Sequence, residues 1–213
     1  MSFGSVYEAL VGDIDYSSIV NFLKEHLNKS KTILDAGCGS GVFLIPLLED
    51  NYQVEGIDLD GQMLGLAEEK LRSKQLYAKL YEHDLREPIV KKYDQIVLMN
   101  DVVNYFKGLN KVFNNLKRAL NPTGILLFDC YKEEYLVEMD GYIEEDTTPF
   151  PYRWVVKVSQ NRMKHIIQTN EDYVIYQTIQ PLKYYLDILH NLGFQTNLLE
   201  GPDERKYYVK ATL

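Results

Sequence analysis

The apolar residues of this chain change their spacing several times, and each change marks an element. Ile19, Val20, Phe22, Leu23 and Leu27 fall on one face of a helix. A short apolar run, "KTILDAG", follows as a strand and passes at once into glycines. "VFLIPLLEDN" then resumes helical spacing, with Pro46 in the first turn, where a missing amide proton costs little. The same reading gives a strand in "YQVEGIDLD", a helix in "GQMLGLAEEKLRS", strands in "LYAKLYEHDL" and "YDQIVLMND", a helix in "LNKVFNNLKRAL" ending before Asn121-Pro122, and a strand in "GILLFDCY". Such alternation predicts an α/β fold: a parallel sheet with helices on both faces and the first five strands side by side in the order 3-2-1-4-5.

Beyond Tyr131 the pattern changes. "YKEEYLVEMDGYIEEDTTPFPY" is acidic and broken by glycine and proline. "RWVVKVSQNRMKHIIQTNEDYVIYQTIQPL" carries three alternating runs separated by the turn signals "SQN" and "TNED". Residues 132–180 are therefore expected to form a small antiparallel β insertion within a single domain spanning 1–213. It serves as a lid over the substrate or, in the duller reading, as a contact in a homodimer. The tail returns to helix, strand, turn and strand, with Gly193 at the helix end, so that a final hairpin closes the sheet.

Composition narrows the function. With 213 residues, 46% of them hydrophobic, the chain can bury one sizeable core. The start "MSFGSVYEAL" lacks a basic stretch followed by an apolar one, and no segment reaches the roughly 18 apolar residues of a membrane span, so a cytoplasmic location is expected. Cys38 and Cys130 are too few for a disulfide framework, and neither has metal-ligand spacing. A net charge of −8 disfavours general nucleic-acid binding.

The candidate chemistry starts at "ILDAGCGSGVF". Gly37, Gly39 and Gly41 let the backbone turn sharply and approach a ligand beyond the carboxyl end of the first strand. Their spacing is neither the dinucleotide Gly-x-Gly-x-x-Gly nor a P-loop. Asp35, at the end of a buried strand, calls for a cation or donor to offset its desolvation, which disfavours a diphosphate ligand and favours one bearing an ammonium group. Asp58 ends the second strand, where a carboxylate accepts the hydroxyls of a ribose. Asp84 follows the third strand at the adjacent site. A nucleoside carrying an amino acid fits all three.

These motifs, in this order, resemble the class I S-adenosylmethionine-dependent methyltransferases from about Tyr7 to Tyr131. "GFQTNLLE" and "KYYVKATL" are similar to the last two strands of that Rossmann-like, seven-stranded fold. "VYEALVGDIDYSSIVNFL" and "LMNDVVNYF" are similar to a bacterial small-molecule group within the class. The resemblance implies S-adenosylmethionine as cofactor and a small-molecule methyl acceptor. Asp35 and the glycine loop would hold the methionine end, and Asp58 the ribose. Leu59 and Met63 would line the adenine pocket, Asp84 and Leu85 would face the adenine, and Asn100 would approach the methionine. Tyr7 and Tyr16 match tyrosines that lie over the cofactor, and Glu8 replaces an aspartate usual after the first of them.

Methyl transfer from a sulfonium needs alignment and exclusion of water more than a nucleophilic residue. If the acceptor must lose a proton, Asp101, Tyr105, Tyr131 and His165 are positional candidates for the base. The plainer readings are a helix cap for Asp101, packing for the tyrosines and a strand surface for His165. Trp154 and the insertion's tyrosines are candidates for an aromatic acceptor pocket. Two other functions compete: a protein that binds S-adenosylmethionine or S-adenosylhomocysteine without turnover, and a nicotinamide-dependent oxidoreductase using Asp58 on ribose.

Overall fold

A computed structural model describes residues 3–10 and 14–213, the side chains at 3–5 and 7 excepted. Two helices, α1 (Phe3–Leu10) and α2 (Tyr16–His26), precede the alternation. Asp15 starts the second by accepting the Ser18 amide. There follow β1 (Thr32–Ala36), α3 (Leu44–Glu49), β2 (Gln53–Asp58), α4 (Gly61–Ser73), β3 (Leu80–Glu82) and β4 (Tyr93–Leu98). A short 3-10 turn (Val102–Tyr105), α5 (Asn110–Ala119) and β5 (Leu120–Tyr131) complete the alternating part.

The insertion comprises α6 (Glu134–Met139), β6 (Ile143–Asp146), β7 (Tyr152–Ser159), β8 (Arg162–Gln168) and β9 (Asp172–Thr178). The chain ends with α7 (Leu182–Asn191), β10 (Gln195–Leu199) and β11 (Lys206–Thr212).

The main sheet has seven strands in the order β10-β11-β5-β4-β1-β2-β3, parallel except for β11, which runs antiparallel to both neighbours. One face packs Leu116 and Phe113 of α5 and Tyr185 and Leu189 of α7 on Leu126 and Phe128. The other packs Leu23 of α2, Leu44 of α3 and Leu64 of α4 on Ile33 and Val97. This is the expected doubly covered sheet, and it brings the carboxyl ends of β1 and β4 together at the point where the strand order reverses. No helix among the described residues is long and apolar enough to cross a membrane.

Several boundaries differ from the sequence reading. The third strand shrinks to three residues, because it lies at the sheet's edge and only half of each pleat finds a partner. The strand in "GILLFDCY" begins earlier, at Leu120, and runs through Asn121-Pro122, with a register shift against β4 between Leu120 and Ile125. In the insertion, the acidic opening, for which the sequence reading named no element, holds α6 and β6, and β6 makes the second sheet four-stranded, β6-β7-β8-β9. Its alternation buries Tyr152, Trp154, Val156, Met163 and Ile167, which pack around Met139 and Val6.

Cys38 lies just after β1 and Cys130 within β5, with β4 between, so neither reaches the other and both are free. Burial pushes both thiols up. A thiol reagent should therefore count two thiols in denaturant without reductant and almost none in the native protein over the same minutes. Two reactive thiols in the native state would contradict their burial.

Candidate functional site

A cavity of about 470 Å³ opens beyond the carboxyl ends of β1, β2 and β4, in the place the strand order predicts. Its wall takes in Tyr16, Gly37, Gly39, Asp58, Leu59, Met63, Asp84, Leu85 and Asn100, drawn from separate stretches of chain. Of the remaining residues singled out in the sequence, Asp35 and Gly41 lie behind the wall rather than on it. The Tyr7 side chain lies outside the described residues.

The glycines serve space rather than donation. Gly37, at φ +88°, faces Val102 so closely that a Cβ would stand 2.8 Å from a valine methyl. Gly41, at φ +81°, has Ile45 at 3.0 Å. The amides of Gly37 and Cys38 donate to the Ile57 carbonyl, that of Gly39 to Asp58 and that of Gly41 to Cys38. These four N–H groups are thus spent on the protein itself, which suits a ligand without phosphates at this point.

Asp58 is the loop's anchor. Its Oδ2 accepts the Gly39 amide and its Oδ1 the Asp60 amide, both at 2.8 Å, which leaves each oxygen one further lone pair for the cavity. Burial raises its carboxyl against these bonds. Asp35, 1% exposed, has an Oδ2 without a partner among the described residues. Burial first, and the Asp58 charge second, push its carboxyl up to about 7. Asp84 is less available than the sequence suggested. Arg86 Nε lies 2.9 Å from both its oxygens, and these hydrogen bonds chiefly hold the carboxyl down at about 2.

The N-terminal segment closes over the loop. Glu8 accepts from Ser40 at 2.7 Å and from Lys70 of α4 at 2.6 Å, so the glutamate clasps α1 to the glycine loop. Tyr16 meets Phe43 edge to face at 5.9 Å. Sequence reasoning missed Ser40 and Lys70 as parts of this clasp, and Val102 and Phe106 as cavity wall.

A second cavity, of about 980 Å³, lies beside the first. Asn100 belongs to both walls. Tyr131 at the end of β5 lines it, and much of the rest comes from the insertion and the final hairpin, including Tyr135, Tyr142, Trp154, Arg205 and Lys206. Tyr131 and Tyr135 stack with ring centres 3.9 Å apart. Glu144 accepts hydroxyl protons from Tyr142 and Tyr152. Ile175 of β9 stands on the wall of the first cavity, so the insertion reaches both.

Two of the four base candidates are taken up inside the protein. His165 is no surface residue: it is 5% exposed, because it points to the same face of β8 as the buried Met163 and Ile167. Its Nδ1 accepts from Trp154 Nε1 at 3.3 Å and its other nitrogen lies 3.1 Å from Gln177 Oε1. Burial lowers its pKa to about 4. Asp101 occupies the cap position of the 3-10 turn without capping it, its carboxylate being bound by Lys206 and Gln177. Tyr105 stands on the first cavity and Tyr131 on the second.

Comparison with known proteins agrees with this arrangement. Residues 33–124 match the family model described as "Methyltransferase domain". YqeM of Bacillus subtilis, a protein named as a methyltransferase, is 30% identical over 211 residues, covering 91% of this chain and 85% of its own. Among solved structures, an S-adenosylmethionine-dependent methyltransferase from Clostridium acetobutylicum superposes with a TM-score of 0.83 at 21% identity, covering 99% of this chain and 97% of its own. The sugar N-methyltransferase KedS8 from Streptoalloteichus gives 0.80 at 18% identity, covering 100% and 92%.

Proposed function

The chain belongs to the class I S-adenosylmethionine-dependent methyltransferases, and from that premise we propose that it methylates a small polar molecule seated in the second cavity. The observation that carries the reading is the seam at Asn100, where the glycine-loop cavity and the cavity lined in part by the insertion share one wall residue.

The residues fit the cofactor. The unpartnered Asp35 Oδ2 marks an uncompensated negative charge behind the loop, as a ligand carrying an ammonium and a sulfonium would suit. Gly37 and Gly39 stand on the wall of this cavity, and the close packing of Gly37 on Val102 leaves no room for a side chain at that turn. In this reading Asp58 accepts from the ribose hydroxyls, Leu59, Met63 and Leu85 flank the adenine, and Asp84 with Arg86 borders it. Tyr16 covers the site, and Asn100 meets the methionine portion. Bound there, S-adenosylmethionine supplies an electrophilic methyl group.

The protein's own work is alignment and drying. Tyr131 and Tyr135 offer a flat apolar surface, while Glu144 and the neighbouring hydroxyls offer hydrogen bonds to a polar acceptor. A cavity of this size holds a metabolite rather than a protein segment with its flanks.

The test is a methyl-transfer screen with radiolabelled S-adenosylmethionine against a cell extract split into metabolites and macromolecules. Label is expected in the metabolite fraction. Tyr135→Ala should lower turnover of that acceptor at least tenfold while leaving S-adenosylmethionine affinity within about twofold, since Tyr135 lines the second cavity and not the first. Label in the protein or nucleic-acid fraction, or binding without any S-adenosylhomocysteine produced, would overturn the proposal.

A further inference from the structure

The end of β4 has an unusual backbone. Asn100 and Asp101 are consecutive residues at φ +62° and +56°, a left-handed pair without glycine. Each such residue is costly and persists only where its surroundings fix it. Here the surroundings are a buried ion cluster. Lys206 of β11 places Nζ 2.8 Å from Asp101 Oδ1, 3.0 Å from Asp129 Oδ2 and 3.4 Å from Asn100 Oδ1. An ammonium has three donors, and all three are directed to this one corner.

The remaining oxygens are satisfied as well. Asp129 Oδ1 accepts the Asp101 amide at 2.7 Å, and Asp101 Oδ2 accepts from Gln177 of β9 at 2.5 Å. Lys206, Asp101 and Asp129 are 6%, 1% and 0% exposed. Three elements distant in sequence, β5, β9 and β11, thereby converge on one dipeptide.

We propose that Lys206 is a positioning residue of the methyltransferase, acting through Asn100: its ammonium, balanced by Asp101 and Asp129, sets the asparagine amide at the seam of the two cavities. The inference rests on the reading of the first cavity as the cofactor site. Burying three charges is a poor way to gain stability alone, since well-packed apolar side chains do as well or better. What apolar residues would not do is hold a left-handed dipeptide and fix which atom of the Asn100 amide faces inward. Lys206 itself reaches the wall of the second cavity, and its Nζ lies 4.6 Å from the centre of the Tyr131 ring, so the same charge also steadies the aromatic surface there.

The test is a double-mutant cycle read by calorimetry with S-adenosylmethionine. The Lys206→Met, Asp129→Asn pair removes one charge of each sign and leaves the cluster's net charge unchanged. This pair should weaken binding at least tenfold. Asn100→Ala should weaken it comparably, and the combination should add no more than about twofold to either. Where the pair does not give a folded protein by circular dichroism, Asp101→Asn is the second arm. It keeps the Lys206–Asp129 ion pair, and a three- to tenfold loss that again fails to add to Asn100→Ala is expected. Unchanged affinity beside a lowered melting temperature would show a purely structural cluster. Fully additive losses would show that Lys206 does not act through Asn100. Wild-type protein that binds no S-adenosylmethionine would instead overturn the reading of the cofactor site itself.

Discussion

Asp35→Asn is expected to melt several degrees above wild type at pH 8 and yet bind S-adenosylmethionine at least tenfold more weakly. The carboxyl is pushed from its usual 3.8 up to about 7, and its Oδ2 has no partner among the described residues. Each tenfold weakening of an acid on folding corresponds to roughly 1.4 kcal/mol, so ionising this one inside the folded protein costs about 4 kcal/mol at most. An asparagine removes that cost but leaves an amide N–H₂ to satisfy, worth about 1–3 kcal/mol, so the net gain is about 1–3 kcal/mol. For a chain of this length that is a rise of roughly 2–12 °C.

The sign of the pH dependence follows from the raised value. Below about pH 4 both folded and unfolded chains carry the proton and the cost is absent. It grows as pH rises towards 7 and is fully present above. The variant's advantage should therefore be largest at pH 8 and shrink towards pH 5. For the same reason wild-type affinity for the cationic cofactor should improve between pH 6 and pH 8. Thermal melts and calorimetry at these pH values check both. A variant that binds normally would separate Asp35 from the cofactor.

Asp58→Ala is the second large effect, and it moves stability the other way. Charge-assisted hydrogen bonds to a ligand are worth about 1.5–3 kcal/mol each, so loss of the ribose contacts should weaken binding by roughly 2 kcal/mol or more, about 30-fold. The same carboxylate also accepts the Gly39 and Asp60 amides, so the variant should be less stable by about 1–3 kcal/mol. Asp58→Asn, which retains one oxygen acceptor, should recover part of the stability and little of the affinity. Calorimetry returning wild-type affinity in the alanine variant would sink the ribose assignment. The two aspartates thus separate cleanly: one is a strain on the fold, the other part of its scaffold.

The sequence showed what depends on local pattern. The helix over 61–73 is bounded where its spacing places it, and the glycine turn lies where the strand order reverses. Six-residue α6 carries too few turns for a period to show, and β6 alternates weakly because only Glu144 among its four residues turns inward. The reading of His165 as a surface residue fails although the signal is present: Met163, His165 and Ile167 alternate with more exposed neighbours, and a histidine in that series faces the packed side. Lys206 gives no such signal, since its partners lie 105 and 77 positions away, and only the antiparallel pairing of β11 with β5 brings them together. The glycine loop's hydrogen bonds to Ile57 and Asp58 are hidden for the same reason, because these acceptors belong to β2.

The chain contains a single tryptophan. Trp154 stands on the wall of the second cavity and not on that of the first, with its indole N–H directed to a histidine that burial keeps uncharged. Light excited beyond the absorption of tyrosine therefore leaves the protein from one place, next to the proposed acceptor. An unlabelled compound that enters the second cavity will change the colour or the yield of that emission, whereas one confined to the glycine loop will pass largely unseen. The protein carries its own lamp for finding the molecule it methylates.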